Sequence, residues 1–572
     1  MESFKISRRL SLLTLIFTTL ITLPPCFTEA MGTRPKAPPP NLLLITIDTL
    51  RADHLGCYGY QDIHTPCIDT LASEGILFTQ ALTPVPITLP SHVSIMTGLY
   101  PMQHGICNNA NSVLGEEATT LAEIMEKEGY KTAAFVGAFV LHSMFGLNQG
   151  FQAYNNSPSK KKRSGASPFD NERRAEEVTR SALQWLESNH DSPFFLWVHY
   201  FDPHAMYLPP SPFKEEYKGH LYDGEIAYTD SCLGPLLDGL KKLGVSDKTV
   251  IILTSDHGEG LGEHGESTHA VFLYDSTLHI PLILKIPPGV IPRLQNMKPE
   301  ITSMVSLLDI FPTIMDLFSL RPDQIDLNQW PGKSLIPLIE GSCQIHQEEI
   351  FCETLYPELN FGWSRVEGIR THDWKYVKSP RSELYHLSED PNETVNLLSN
   401  QSLRAQGWEE RLIRLKKNLE REKRQPQVIT DSDVLQRLES LGYFRSVMKD
   451  TSAGDDISQR SDPKDMIHLI ESIDRGLSYY YLGSYDLAYD EFHKILEVNP
   501  DNISATFYLG SVEEKMGRFE QARDRFLHLL SMEPNYLDAH NHLGVIYHHL
   551  GQGEEAIKEF QLALKKAEYP DV

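Results

Sequence analysis

The stretch Asn41–Leu50, NLLLITIDTL, decides the fold, because a continuous apolar run ends at an acidic side chain. A run of this kind is typical of a strand that is buried on both faces of a parallel sheet. Asp48 stands where that strand ends. In open α/β sheets ligands bind at the carboxyl ends of the strands, so Asp48 is the first candidate for a functional site.

Further segments have the same character as this first strand. The predicted strands are Leu42–Ile47, Thr132–Val136, Phe194–His199 and Val250–Thr254. Helical patterns such as Ala175–Asn189 and Asp230–Leu243 lie between them, which predicts a doubly wound α/β sheet. Polar side chains follow the third and fourth strands directly: His199, Asp202, His204, Asp256 and His257. They are therefore expected to meet at one edge of the sheet.

The composition is that of a globular protein with more than one core. The chain has 572 residues, of which 41% are hydrophobic and 23% are charged. The 52 basic and 77 acidic residues give a formal net charge of −25. Such an acidic chain is not expected to bind nucleic acid or an anionic membrane surface as its main partner.

The N-terminal segment has the pattern of an export signal. Three basic residues precede an apolar run from Leu10 to Leu23, and small residues follow it. Residues 1–30 are predicted to be a secretory signal peptide, with an uncleaved membrane anchor as the alternative, and residues 31–40 a proline-rich linker. The protein is therefore expected to be periplasmic or secreted. Cysteines that lie close in sequence, Cys57 with Cys67 and Cys343 with Cys352, are either paired or buried as free thiols.

Three segments together resemble the sulfatase branch of the alkaline phosphatase superfamily. They are Asn41–Tyr60, Thr83–Gly105 (TPVPITLPSHVSIMTGLYPMQHG) and Ser255–His269 (SDHGEGLGEHGESTH). The later string ELYHLSEDPNETVNLL, Glu383–Leu398, resembles the small C-terminal sheet of the same family. The resemblance implies an alkaline-phosphatase-like, mostly parallel sheet followed by a small antiparallel sheet. We expect this sulfatase-like catalytic domain to span residues 41–425.

The resemblance also implies a metal site. Asp48 matches a metal ligand of the family, Asp256 and His257 match its second ligand pair, and the Thr88 oxygen would complete the set. Many sulfatases carry a second acid beside the first, where this chain has Thr49. The imidazole of His257 favours zinc or manganese, with calcium as the alternative.

Thr88 is the main departure from the family pattern. Sulfatases oxidise a cysteine or serine to formylglycine within a C/S-x-P-x-R motif, and here the frame reads Thr88-Leu89-Pro90-Ser91-His92. Oxidation of a threonine would give a ketone, which hydrates poorly. We therefore expect the hydroxyl of Thr88, at the positive end of a predicted helix, to act directly as the nucleophile.

Four histidines are further candidates. The Ser255–His269 string also resembles the lipid A phosphoethanolamine transferases, which use a threonine nucleophile. By that resemblance His204 and His269 are catalytic and contact the transferred group, or they hold a second metal. His92, in place of the motif arginine, and His104 either support the site from behind or simply pack.

The C-terminal residues repeat with a period of 34. Gly476, Gly510 and Gly544 keep this spacing, as do Phe492, Phe526 and Phe560. The pattern is that of tetratricopeptide repeats and predicts an all-α solenoid over residues 466–570. Its units would span residues 469–502, 503–536 and 537–570, after a linker at residues 426–465.

The sequence thus predicts an exported, metal-dependent hydrolase or transferase of the sulfatase family. A phosphoester substrate is favoured, with attack by Thr88 and a phosphothreonine intermediate. One alternative is sulfuric ester hydrolysis without formylglycine. The other is a pseudoenzyme whose repeats act as a scaffold. The expected partners are a small-molecule, lipid or glycan ester and a protein bound by the repeats.

Overall fold

A computed structural model describes residues 39–109, 112–159, 172–291, 294, 297–320, 330–400, 402–420, 424, 427–429, 434, 438, 459–534 and 536–568. The predicted signal segment 1–30, almost all of the linker 31–40 and much of the linker 426–465 lie outside these residues. No helix in the described ranges is both long enough and apolar enough to cross a membrane. The six cysteines that fall within these ranges are free thiols.

The strands of the described residues are β1 (Asn41–Ile47), β2 (Ile76–Leu82), β3 (Ser112–Val113), β4 (Lys131–Phe135), β5 (Ala153–Asn155), β6 (Phe194–Tyr200), β7 (Thr249–Ser255), β8 (His279–Lys285), β9 (Glu300–Ile301), β10 (Val305–Ser306), β11 (Ile350–Thr354), β12 (Val366–Arg370), β13 (Trp374–Lys378), β14 (Glu383–His386) and β15 (Gln427–Val428). Nine of them form one sheet in the order β10-β2-β8-β7-β1-β6-β4-β5, with β9 beside β2. The run from β7 to β5 is parallel, and β8 is antiparallel to both of its neighbours. The predicted mostly parallel sheet is confirmed.

The described helices are α1 (Pro66–Glu74), α2 (Thr88–Thr97), α3 (Pro101–His104), α4 (Leu121–Lys127), α5 (Ala175–Asn189), α6 (Phe213–Glu216), α7 (Leu221–Lys242), α8 (Asp275–Leu278), α9 (Ile310–Leu317), α10 (Ile336–Ile339), α11 (Tyr356–Phe361), α12 (Ser402–Leu419), α13 (Pro463–Met466), α14 (His468–Tyr481), α15 (Tyr485–Val498), α16 (Ile503–Lys515), α17 (Phe519–Met532), α18 (Leu537–His549) and α19 (Gly553–Glu568). Helix α5 has its predicted bounds, whereas α7 begins nine residues before the predicted start at Asp230.

Two hydrophobic layers cover the central sheet, one on each face. Leu42 and Leu44 of β1 join one cluster, and Leu43 and Ile45 join the other. Because alternate residues of a strand point to opposite faces, a strand covered on both sides must be apolar at every position. This explains the uninterrupted run that opens the domain.

A second, antiparallel sheet follows in the order β11-β12-β13-β14. Its residues Phe351, Ile369 and Leu384 are fully buried in a cluster with Leu412 of α12. The predicted small C-terminal sheet is therefore confirmed. We call residues 40–425, with both sheets, the head.

Helices α14 to α19 form antiparallel pairs that repeat at the predicted period, and we call residues 468–568 the array. The regular spacing has a packing reason, since a Cβ added to Gly476 would meet ring atoms of Phe492 at 2.9 Å. Gly510 and Phe526 are in the same relation at 3.0 Å. Only glycine lets the two helices of each pair approach this closely. The predicted helical repeats are confirmed.

The array packs against the head. One buried cluster contains Val271, Phe272 and Trp363 of the head together with Leu469 and Ile473 of α14. The described end of the predicted linker, residues 459–465, also contacts the head. The Asp462 carboxylate accepts hydrogen bonds from the Arg381 backbone N–H (2.9 Å) and from the Ser379 hydroxyl (3.3 Å).

Candidate active site and metal centre

The site lies at the carboxyl edge of the three central strands. Asp48 follows β1 directly and Asp256 follows β7, which pairs with β1 along its whole length. His199 is the penultimate residue of β6 on the other side of β1. The predicted convergence of strand ends is therefore present, and the parallel register brings these side chains together.

The turn after Asp48 is strained. Thr49 has φ 56°, a left-handed conformation that is unfavourable for a β-branched residue. Two contacts hold it, since its backbone N–H donates to Asp256 Oδ1 (3.2 Å) and its carbonyl accepts from the Tyr222 hydroxyl (2.7 Å). Strain of this kind persists where the surroundings enforce it, and here it fixes Asp48 beside Asp256.

Asp48, Asp256 and His257 form a group that fits a metal ion. Their ligand atoms lie within 4.8 Å of one another, and all three side chains are buried. Both carboxylate oxygens of Asp48 and Oδ2 of Asp256 have no hydrogen-bond partner. Burial, and then the charge of Asp256, raise the pKa of Asp48 well above its usual value. Buried carboxylates that lack donors call for a cation, which is the expected family metal.

His257 has a fixed tautomer that suits a ligand. Its Nδ1 lies 2.9 Å from the backbone carbonyl of Gly258, which can only accept, so Nδ1 carries the proton. Nε2 is then an open lone pair, 3.4 Å from Asp256 Oδ2 and 3.8 Å from Asp48 Oδ1. A backbone partner on the far nitrogen is the usual way in which proteins orient a metal-binding histidine.

Thr88 lies where the sequence placed it. It is the first residue of α2, is 1% exposed, and has its Oγ1 3.3 Å from His257 Nε2. The next backbone N–H, of Leu89, donates to the Asn109 side chain (2.7 Å). The hydroxyl therefore stands beside the three ligand candidates, at the positive end of a helix that is buried over its whole length.

His269 and His204 lie on the open side of this group. The His269 ring is 4.3 Å from the His257 ring and 5.1 Å from the His204 ring, measured between centroids. The His204 Nδ1 donates to the Ala205 carbonyl, so Nε2 is the ring nitrogen that can accept a proton. Burial lowers the pKa of His204 to about 4 and that of His269 well below its usual value. In the described part of the chain these two rings do not belong to any group of three close ligands, so the geometry offers no support for a second metal.

Glu259 is a site residue that the sequence reasoning missed. Its carboxylate is fully buried, and Oε1 lies 2.9 Å from His269 Nδ1. The carboxylate therefore holds the proton on Nδ1 and leaves Nε2 of His269 as the reactive nitrogen. Burial raises the pKa of Glu259 to about 7. Its place two residues after His257, in Asp-His-Gly-Glu, was the available signal.

His92 and His199 lie behind the ligand group. His92 Nδ1 is 2.8 Å from the Thr88 carbonyl, and Nε2 is 3.1 Å from the Thr46 hydroxyl. His199 Nε2 is 3.6 Å from Asp48 Oδ2. His104 instead bonds to Ser94 and to its own loop, and thus packs within the core. Of the two open candidates, His92 reaches the site.

Family comparisons agree with this geometry. Residues 40–320 match the family model described as Sulfatase, and residues 262–425 match that of the N-sulphoglucosamine sulphohydrolase C-terminal region. Residues 512–571 match a tetratricopeptide repeat model.

Several curated relatives are named sulfatases. The chain is 27% identical over 441 residues to arylsulfatase K of Bos taurus, and the match covers 63% of this chain and 78% of that protein. It is 26% identical over 418 residues to an ulvan-active sulfatase of Formosa agariphila, covering 63% and 77% respectively. Among solved structures, the phosphonate monoester hydrolase of Agrobacterium radiobacter is similar, with a TM-score of 0.56 and 23% identity over 66% of this chain and 96% of that one. This last likeness shows the fold alone.

These names correct the predicted substrate. The sequence reasoning favoured a phosphoester and a phosphothreonine intermediate, because Thr88 cannot form the formylglycine hydrate. The curated relatives that cover the head are instead sulfatases, so the predicted phosphoester activity is wrong. The identity of one residue, Thr88, does not outweigh a resemblance that extends over the whole domain. Over residues 40–425 the chain belongs to the sulfatase family, as a hydrolase acting on esters, and it carries tetratricopeptide repeats at its C-terminal end.

Proposed function

We propose that this protein hydrolyses the sulfuric ester of a glycan or of a small molecule. One observation carries the proposal: in a chain whose relatives are named sulfatases, the Thr88 oxygen lies 3.3 Å from Nε2 of His257, within the ligand group. The position that holds the sulfatase nucleophile is therefore occupied by a hydroxyl aimed at the site.

Asp48, Asp256 and His257, with the Thr88 oxygen, would hold one divalent cation. The mixed oxygen and nitrogen donors favour zinc or manganese over calcium. When bound, such an ion would offset the charge of the sulfate group and favour the ionised form of a nearby hydroxyl.

The protein's own groups supply the rest of the reaction. The Thr88 oxygen attacks sulfur, the bond from sulfur to the alcohol oxygen breaks, and the alcohol leaves with the proton that Thr88 gives up. Water then attacks sulfur of the sulfated threonine, and the Thr88 oxygen leaves and regains a proton. The net change is an ester plus water to an alcohol plus hydrogen sulfate. His269, held by Glu259, and His204 are placed to carry these protons.

The test is a panel of aryl and glycan sulfate esters, with Thr88→Val as the deciding variant. Valine has the shape of threonine but no hydroxyl, so turnover should fall by at least about 100-fold. Thr88→Ser should keep part of the activity. After a rapid acid quench, accurate-mass analysis of the peptide that contains Thr88 should show a sulfate adduct.

Thr97→Val is the matched control. Thr97 ends the same helix, is equally buried at 1% exposed, and donates only to the Val93 carbonyl. Its replacement should leave turnover within about twofold. Activity in Thr88→Val equal to that of the control, or no sulfate ester turned over by the metal-loaded wild type, would refute the proposal.

A further inference from the structure

We propose that the first tetratricopeptide repeat supports the active site from behind and thereby positions His269 and Thr88. The proposal goes beyond the proposed function, since it concerns what holds these residues and not what they convert. The contacts between the array and the head, and the chain geometry around His269, support it.

The first repeat is covered by the head on the face that solenoids usually leave open. Ile470 and Ile473 of α14 are 6% and 4% exposed and belong to the buried cluster that contains Val271 and Phe272. At the equivalent positions of the third repeat, 68 residues later, stand Asp538, which is partly exposed, and Asn541, which is exposed. The corresponding residues of the second repeat, Ser504 and Phe507, are also buried. The contact with the head therefore distinguishes the first repeat through the cluster that it shares with Val271 and Phe272 and through its polar contacts.

Polar contacts fix the orientation of the two parts. The Asn499 side-chain amide donates to the Phe361 carbonyl (3.1 Å), and the Ser364 backbone N–H donates to the Ser461 carbonyl (2.9 Å). Arg460 pairs with Glu358 at 3.0 Å. These contacts join the end of the first repeat, and the linker residues that precede it, to the segment around α11.

A second, small cluster continues this contact to the site. Val85, Ile87 and Ala270 pack together, and Tyr356 of α11 packs against them and also against the cluster shared with the array. Ile87 directly precedes Thr88, and Ala270 directly follows His269. Each proposed catalytic residue is thus one peptide unit away from this packed layer.

The backbone at His269 depends on that packing. Ala270 has φ 85°, which is strained for a residue with a side chain. Its carbonyl accepts a hydrogen bond from the Thr354 hydroxyl, and the next N–H, of Val271, donates to Glu266 (2.8 Å). Residues held in such conformations keep them only while their surroundings enforce them. Loosening the array should therefore loosen this turn first.

The test uses the full chain with Ile470→Asp, a change that gives the first repeat the residue of the third. Aspartate suits the repeat fold but not a covered apolar face. Hydrogen exchange of residues 266–274 should become about tenfold faster, which corresponds to about 1.4 kcal/mol of lost local stability. Exchange in β1 and β7 should stay unchanged. Leu482→Asp is the control, since Leu482 lies in the same repeat but is 62% exposed.

A pair of milder variants, Asn499→Ala and Glu533→Ala, keeps the test valid if Ile470→Asp fails to fold. Asn499 and Glu533 end α15 and α17 with the same backbone angles, φ −130° and ψ 86°, but Asn499 contacts the head. Asn499→Ala should speed exchange of residues 266–274 more than Glu533→Ala does. Equal exchange in the two variants, or an unchanged loop in folded Ile470→Asp, would overturn the proposal. Because hydrogen exchange needs no substrate, its outcome is separate from that of the sulfate ester panel. If these variants are also assayed on a sulfate ester, kcat should fall while the affinity for the metal stays the same.

Discussion

Asp48 and Asp256 carry buried oxygens without donors, so a bound cation should contribute strongly to this site. Asp256→Asn and His257→Ala should each lower the affinity for zinc or manganese by at least about tenfold, since each removes a ligand. Metal analysis after dialysis, with titration calorimetry, measures the effect. Asp53→Asn is the control, because Asp53 is close in sequence to Asp48 but is 59% exposed and pairs with Arg51. Equal metal content in all of these proteins would contradict the ligand assignment.

Some residues of the site can be predicted from the sequence, and others cannot. Asp48, Asp256 and His257 follow strands, and parallel strands bring their ends together whatever the loops do. Thr88 was predicted from its place in a frame that resembles the C/S-x-P-x-R motif. Glu259 acts through its contact with His269, ten residues further along, and spacing alone does not show that contact. A buried carboxylate that bonds to a ring nitrogen is visible only in three dimensions.

The loop between β7 and α8 is the element on which the chemistry depends, and Glu266 makes its stability depend on pH. Burial raises the pKa of Glu266 from 4.5 to about 8, despite hydrogen bonds from the loop backbone. The unfolded chain would lose this proton near pH 4.5 and the folded chain only near pH 8. The contribution of Glu266 is therefore fully present below pH 4.5 and is lost as the pH rises to 8, with a slope of at most about 1.4 kcal/mol per pH unit.

Glu266→Gln should remove this slope while keeping an acceptor for the Val271 backbone N–H. Denaturant unfolding at pH 5, 6.5 and 8 measures the free energy for both proteins. The variant should gain stability relative to wild type as the pH rises. Glu259 and Glu353 also have pKa values raised to about 7, but they contribute equally to both proteins. A constant difference across the three pH values would show that Glu266 is ionised in the folded state.

Among the elements, the central strands were predicted to within one residue, because two covering layers require an unbroken apolar run. The start of α7 was not predicted, because its first turns lack an unbroken apolar pattern. Its first turns are buried on all sides, and the polar residues Asp223, Glu225 and Thr229, at most 3% exposed, interrupt the apolar pattern there. Their partners are distant in sequence: His54 for Asp223 and Arg174 for Glu225. Hydrophobic periodicity is a weak signal for a helical segment that is buried on all sides and includes polar residues.

At the scale of the whole molecule, the 34-residue period predicts the number of repeats but not where they dock on the head. The period of 34 depends only on local packing within each helix pair, where a glycine of one helix contacts a phenylalanine of the other. Docking on the head instead uses Val271, Phe272, Phe361 and Trp363, which are scattered in sequence and have no periodic mark. A protein partner for the array stays a prediction, and the third repeat, with Asn541 exposed, has the more open surface.

Shared packing predicts that the first repeat and the head unfold together. Valine at Gly476 would force its Cβ to within 2.9 Å of the Phe492 ring, and valine at Gly544 to within 2.5 Å of the Phe560 ring. Each overpacking should cost about 1–3 kcal/mol within its own repeat. Gly476→Val acts on the repeat whose Asn499 bonds to the head, whereas Gly544→Val acts two repeats away, so only Gly476→Val should destabilise the head.

Tryptophan fluorescence separates the two parts during thermal unfolding, because all six tryptophans lie between residues 185 and 408 and none lies in the array. Gly476→Val should lower the fluorescence midpoint by about 2 °C or more, together with the circular dichroism midpoint. Gly544→Val should lower only the helical signal and leave the fluorescence midpoint as in wild type. The same fluorescence midpoint in both variants would mean that the head is stable without its neighbour. In that case the contact seen between them would add no stability to the part of the chain that holds Thr88 and His269.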